Sequence, residues 1–126
     1  MGNNDVTPDY YLDVTKANNI LLNTAADAFS DATLINPDEE ETIRLGGYFT
    51  RDVNDGIAIL SINTVVYSIW HEPLEQLNLE DPLGQFAWLE DQLSAARTSH
   101  RHVYIVGHIP PTVGSYRKTQ LWSDAY

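Results

Sequence analysis

The run Val103-Tyr104-Ile105-Val106-Gly107-His108-Ile109-Pro110-Pro111 limits the possible folds more than any other stretch of the chain. Four apolar residues in succession suit a strand buried on both faces, as in a parallel sheet. Gly107 then allows a tight bend, and Pro110 and Pro111 cannot continue a ladder. His108 is thereby presented just past the carboxyl end of a strand, where open α/β sheets bind their ligands. A histidine on so rigid a support suits a metal ligand or an acid–base group. A loop histidine bonded to backbone is the competing reading.

The preceding elements make this strand part of a crossover. Residues 48–53 and 57–62 flank Asn54-Asp55-Gly56, a hairpin signal, and the second of the two is apolar enough to be central. Asp81 and Pro82 open a helix running to residue 98, with Leu83, Phe86, Leu89, Leu93 and Ala96 as its buried stripe. Strand, helix, strand predicts a parallel pairing, and the fold class is α/β. Two helices come earlier. Residues 17–29 carry Ala17, Ile20, Leu21, Ala25, Ala28 and Phe29 at helical spacing, with Thr15 as cap. Asn36 caps a second helix, Pro37 takes its first position, and Gly46-Gly47 ends it. The acids at 38–41 read as a solvated first turn.

Residues 64–80 lack periodicity, and long connections in small domains tend to be functional. Trp70 and His71, within that stretch, are candidate substrate-binding residues. The alternative makes Trp70 a packing residue and His71 a surface one. His100 and His102 precede the last strand, at the end opposite His108, and read as solvated. Tyr116 and Arg117 follow the proline pair and either meet an anionic substrate or belong to a tail.

At 126 residues the chain suffices for one core. It has no cysteine, which excludes disulfides, thiolate zinc sites and a cysteine nucleophile. A net charge of −11 argues against a nucleic-acid-binding surface. No apolar run approaches the length of a transmembrane segment. An acidic shell remains compatible with a cationic centre, whose own charge dominates locally.

Gly2-Asn3-Asn4-Asp5 and Gly107-His108-Ile109-Pro110-Pro111 resemble two signature blocks of the calcineurin-like metallophosphoesterases. Gly46-Gly47-Tyr48, Leu60-Ser61-Ile62-Asn63 and the block from Asp81 through Gln85, Phe86 and Trp88 to Leu89 lie between them. In order and spacing these resemble the acid-sphingomyelinase-like phosphodiesterase branch. The resemblance implies part of a four-layer sandwich, a mixed sheet with flanking helices. It implies two divalent metal ions (zinc, manganese or iron), with Asn3 and His108 ligands of the same one. Such a centre clamps a phosphate ester and acidifies a bridging water.

Asn4 stands where most members of that family have a histidine. Its amide cannot deliver a proton, but it can donate a hydrogen bond to developing negative charge. Asp5 resembles the orienting carboxylate and is expected to hold the Asn4 amide, so Asn4 and Asp5 are the catalytic candidates. The loop is also similar to that of vacuolar endopolyphosphatases. The family's Asp-x-His and Gly-His-x-His blocks are absent from this sequence. Residues 1–126 are therefore expected to be the central part of one metallophosphoesterase domain, inactive alone, with exposed sheet edges that self-associate.

For the full-length protein the resemblance implies hydrolysis of a phosphate-ester substrate: a phospholipid, a nucleotide or polyphosphate. The rival is a metal-free acidic interaction domain that keeps the fold without catalysis. Members of the family are often secreted, lysosomal or vacuolar, and the sequence does not choose among these.

Overall fold

A computed structural model describes residues 1–16, 19–77 and 79–111. Ala17, Tyr116 and Arg117 lie outside them. The sheet is built around one central strand. β1 (Phe49–Asn54) and β2 (Ile57–Ser61) pair antiparallel, with a register shift between Asp52 and Asn54. The Asn54 side chain accepts from the Gly56 N–H at 2.9 Å, which closes the turn. β3 (His102–Val106) lies parallel to β2, from Ile57 opposite His102 to Ser61 opposite Val106. The order β1-β2-β3 is the mixed α/β arrangement expected from the hairpin and the crossover.

β3 departs from expectation. Its sequence suits a doubly covered strand, yet among the described residues only β2 pairs with it. Tyr104, Ile105 and Val106 are 61%, 51% and 52% exposed.

The helices mark their own starts. α1 (Ile20–Asp31) is capped by Asn19, which accepts from the Leu21 N–H at 2.9 Å. Thr15 is not the cap, because Asp13 takes both its N–H (3.0 Å) and its hydroxyl (2.7 Å). The buried positions of α1 are Leu22 and Ala26, one turn apart, while Ile20 is 77% exposed. α2 (Pro37–Gly46) begins with a reciprocal cap between Asn36 and Glu39, and ends at Gly47 with φ +74°. Glu39 is not solvated. It is buried and pairs with Arg51 at 2.6 Å, so one acid of this run ties the helix to β1.

α3 (Gln85–Thr98) starts later than Pro82 because Leu83 and Gly84 both turn left-handed, at φ 62° and 65°. Asp81 still caps it, accepting from the N–H of Phe86 at 2.7 Å and of Ala87 at 3.2 Å. Of the expected stripe, Ala96 is buried and Leu93 is exposed.

The connection from β2 to α3 carries short 3₁₀ turns at Thr64–Tyr67 and Leu74–Gln76. Val66 and Tyr67 join Leu12, Val14 and Leu22 in the apolar core, and Tyr67 stacks on Phe86 with centroids 4.9 Å apart. Among the described residues no helix is long and apolar enough to cross a membrane.

Candidate active site

Just past β2, three of the sequence blocks meet in one buried hydrogen-bond network. Asn63 donates from its side chain to the Gly46 carbonyl at 2.9 Å. The Gln85 carbonyl oxygen accepts from the Asn63 N–H at 2.6 Å, and its amide donates to the Asn63 carbonyl (3.1 Å) and the Tyr67 hydroxyl (2.8 Å). Tyr48 donates to the Leu83 carbonyl at 2.9 Å, and burial, with Asp81 adding to it, pushes its hydroxyl pKa up to about 12. Trp88 packs on the Tyr48 ring, with centroids 4.5 Å apart.

The next residue, Thr64, carries this rigidity across to the β3 end. Its buried hydroxyl accepts from the N–H groups of His108 (3.0 Å) and Ile109 (2.7 Å). Gly107 allows the approach, since a Cβ there would lie 2.6 Å from the Thr64 methyl carbon. His108 leaves this clamp exposed, beside a cleft of about 250 Å³ that Gly2, Ile62 and Gly107 help to line.

Asn3 reaches the same point from the start of the chain. Asn3–Asp5 forms one 3₁₀ turn, and the Asp5 carboxylate accepts from the Gly2 N–H at 2.7 Å. The His108 Nε2–H donates to Asn3 Oδ1 at 2.8 Å, across 105 positions of sequence. The Asn3 amide donates to Asn4 Oδ1, and the Asn4 amide stands 3.4 Å from Asp9. Asp5 therefore does not hold the Asn4 amide. As third residue of its turn, its side chain points back to the N–H of Gly2, the residue that caps the turn.

Two donors of one cation at ordinary bond lengths stand about 3 Å apart when cis to each other. The Asn3 oxygen and the His108 nitrogen, at 2.8 Å, are spaced to serve as such a pair once Nε2 gives up its proton. Among the described residues no group of three or more His, Cys, Asp or Glu side chains could hold an ion, so an ion at this point would need donors beyond the pair.

Trp70 and His71 lie in the connection but differ in environment. Trp70 is 38% exposed and meets Tyr10 edge-on, centroids 5.6 Å apart. His71 is fully buried rather than on the surface. Its Nε2–H donates to the Leu12 carbonyl at 2.9 Å, while Nδ1 has no partner among the described residues. Burial holds its pKa below the usual value, against the opposing pull of the Leu12 carbonyl, Glu72 and Asp13. His102 opens β3, at the far end of the strand from His108.

Sequence reasoning missed Thr64 and Gln85 as positioning residues. Gln85 sat inside a recognisable block, and Thr64 directly follows one. What neither position reveals in one dimension is its buried partner, 22 positions away for Gln85 and 44 for Thr64.

The fold and site describe a mixed α/β segment that brings an amide oxygen and an imidazole together at one sheet rim. No family model matches the chain. It is 39% identical over 111 residues to sphingomyelinase phosphodiesterase C of Dictyostelium discoideum, covering 88% of this chain and 24% of that protein. It is 32% identical over 114 residues to human cyclic GMP-AMP phosphodiesterase SMPDL3A (87% and 23%). Against the endopolyphosphatase of Schizosaccharomyces pombe the identity is 32% over 131 residues (100% and 21%). The chain is thus homologous to a segment of the sphingomyelinase-like phosphodiesterases, and it spans about a quarter of the length of these curated relatives.

Proposed function

We propose that residues 1–126 are the central part of a single metallophosphoesterase domain whose full-length protein hydrolyses phosphoric diesters. The observation that carries this reading is the convergence of Asn3 and His108, supported by relatives named as phosphodiesterases and an endopolyphosphatase. Asn3 and His108 would hold one of two divalent ions, and the mixed oxygen and imidazole donors suit zinc, manganese or iron. Bound there, the ions supply Lewis-acid polarisation of the phosphoryl group and an acidified water. Asn4 donates a hydrogen bond toward charge developing on the phosphoryl oxygens, and Asp5 keeps the loop in its turn. Asn4 has no proton to give a leaving group, so that role falls to another group.

The test uses full-length protein and bis(p-nitrophenyl) phosphate with added manganese or zinc. Asn3→Ala and His108→Ala are each expected to cut turnover at least about 100-fold with native circular dichroism retained, and to weaken metal binding in calorimetry. The 126 residues alone are expected to turn over nothing. A full-length protein that binds neither metal nor substrate would instead be the metal-free interaction domain.

A further inference from the structure

Both members of the Asn3–His108 pair lean on one stretch of chain, the connection that follows β2. Thr64, near its start, fixes the His108 backbone directly. Asn3 is held at one remove, through residues 10–12. The Tyr10 N–H donates to the Asn3 carbonyl at 3.1 Å, and the Tyr10 carbonyl accepts from the Glu72 N–H at 3.1 Å. Leu12 returns the contact, its N–H donating to the Glu72 carbonyl at 2.8 Å. Tyr10 sits at φ 65°, a left-handed conformation unfavourable for a bulky residue, and such a backbone persists only where its neighbours hold it.

His71 adds a side-chain bond to this strap, its Nε2–H donating to the Leu12 carbonyl at 2.9 Å. A carbonyl oxygen only accepts, so the ring proton is on Nε2, and Nδ1 has no partner among the described residues. The ring is itself anchored. The His71 N–H donates to the Ser68 carbonyl at 2.9 Å, and the Ser68 N–H to the Val65 carbonyl at 3.1 Å, which leads back to the turn that begins at Thr64. Thr64, Ser68 and His71 are all fully buried. A ring with no exposed surface does not meet substrate. What it touches is the strap that carries Asn3.

Building on the metal-centre reading, we propose that His71 is a positioning residue for metal binding. By holding the Leu12 carbonyl it keeps residues 10–12 on the connection, and so keeps Asn3 Oδ1 within reach of the cation that His108 would bind. His71 acts through Asn3 alone, because His108 has its own support in Thr64.

The experiment titrates zinc into the full-length protein by calorimetry at neutral pH. His71→Leu is expected to weaken one of two zinc sites about tenfold and to leave the other within about twofold. His71→Gln, whose amide nitrogen takes the place of Nε2, should restore most of the affinity, whereas the shorter amide of His71→Asn stops short of the Leu12 carbonyl and should not. In an Asn3→Ala background, already weakened at that site, His71→Leu should cost nothing further. Hydrogen exchange supplies a readout that needs no metal. The Leu12 and Glu72 amides should exchange at least about tenfold faster in His71→Leu, with those of β2 at the wild-type rate.

Should His71→Leu fail to fold, the contrast between His71→Gln and His71→Asn carries the same test. Two zinc affinities that the Leu and Asn variants leave untouched overturn the proposal. So does an equal loss at both sites, or a loss that adds to that of Asn3→Ala, the results expected of a merely loosened core. A wild-type protein that binds neither zinc nor manganese removes the metal-centre reading itself, and this role with it. Two sites indifferent to His71 remove the role alone.

Discussion

Thr64 fixes the backbone of His108 from 44 positions away, accepting its N–H at 3.0 Å and that of Ile109 at 2.7 Å through one buried hydroxyl. Thr64→Val keeps the shape and removes the acceptor, leaving two N–H groups unsatisfied. The cost is expected to be about 2–4 kcal/mol in urea unfolding of the chain. Thr64→Ser keeps the oxygen and should restore most of the loss.

Gly107→Ala should destabilise by about 1–3 kcal/mol, because its methyl group would lie 2.6 Å from the Thr64 methyl carbon. The contact is with a group that serine lacks. Adding Thr64→Ser to Gly107→Ala should therefore recover stability relative to Gly107→Ala alone, a non-additivity that a double-mutant cycle reads directly.

Gln85→Leu is expected to cost more than an ordinary core change of its size. It strips the Asn63 N–H of its 2.6 Å acceptor and the Tyr67 hydroxyl of a 2.8 Å donor, both buried. A loss of about 2–5 kcal/mol in thermal or urea unfolding is the expected outcome, against near-wild-type behaviour for Gln92→Leu on the same helix.

His71 makes stability fall on acidification. Its folded pKa is depressed, chiefly by burial, while the unfolded value is about 6.5. Above that pH both states are neutral and His71 contributes no pH dependence. Below it the unfolded chain takes up the proton first, so stability drops until the pH passes the folded pKa. Urea midpoints measured between pH 7.5 and 5 should fall in the wild type, and the part due to this residue should vanish in His71→Gln.

We also propose that the uncovered edge of β3 makes the isolated chain self-associate. Tyr104, Ile105 and Val106 are each more than half exposed on a strand that, among the described residues, is paired on one side only. Sedimentation should show mass rising with concentration, and Ile105→Lys should suppress it.

Local signals carried much of the fold. Asn36 with Pro37, the Asp55-Gly56 turn and the apolar runs on either side of α3 each specify a short segment by themselves, and the structure follows them. The failures came where distant groups decide the outcome. Leu83 and Gly84 turn left-handed and delay α3, Glu39 leaves solvent because Arg51 lies across from it, and His71 is buried under the Leu12 carbonyl. At the candidate site, Asn3 and His108 were legible from their blocks. Thr64 was not, because a threonine after a strand end has no pattern until the facing backbone is known.

The Asn3–His108 contact joins the first turn of the described chain to the residues just past its last strand. An ion held by both would act as a removable cross-link across 105 positions, present in the native ensemble and missing from the unfolded one. Chelation should then do more than silence a reaction. It would open the widest loop in the segment and lower the barrier to pulling its two ends apart.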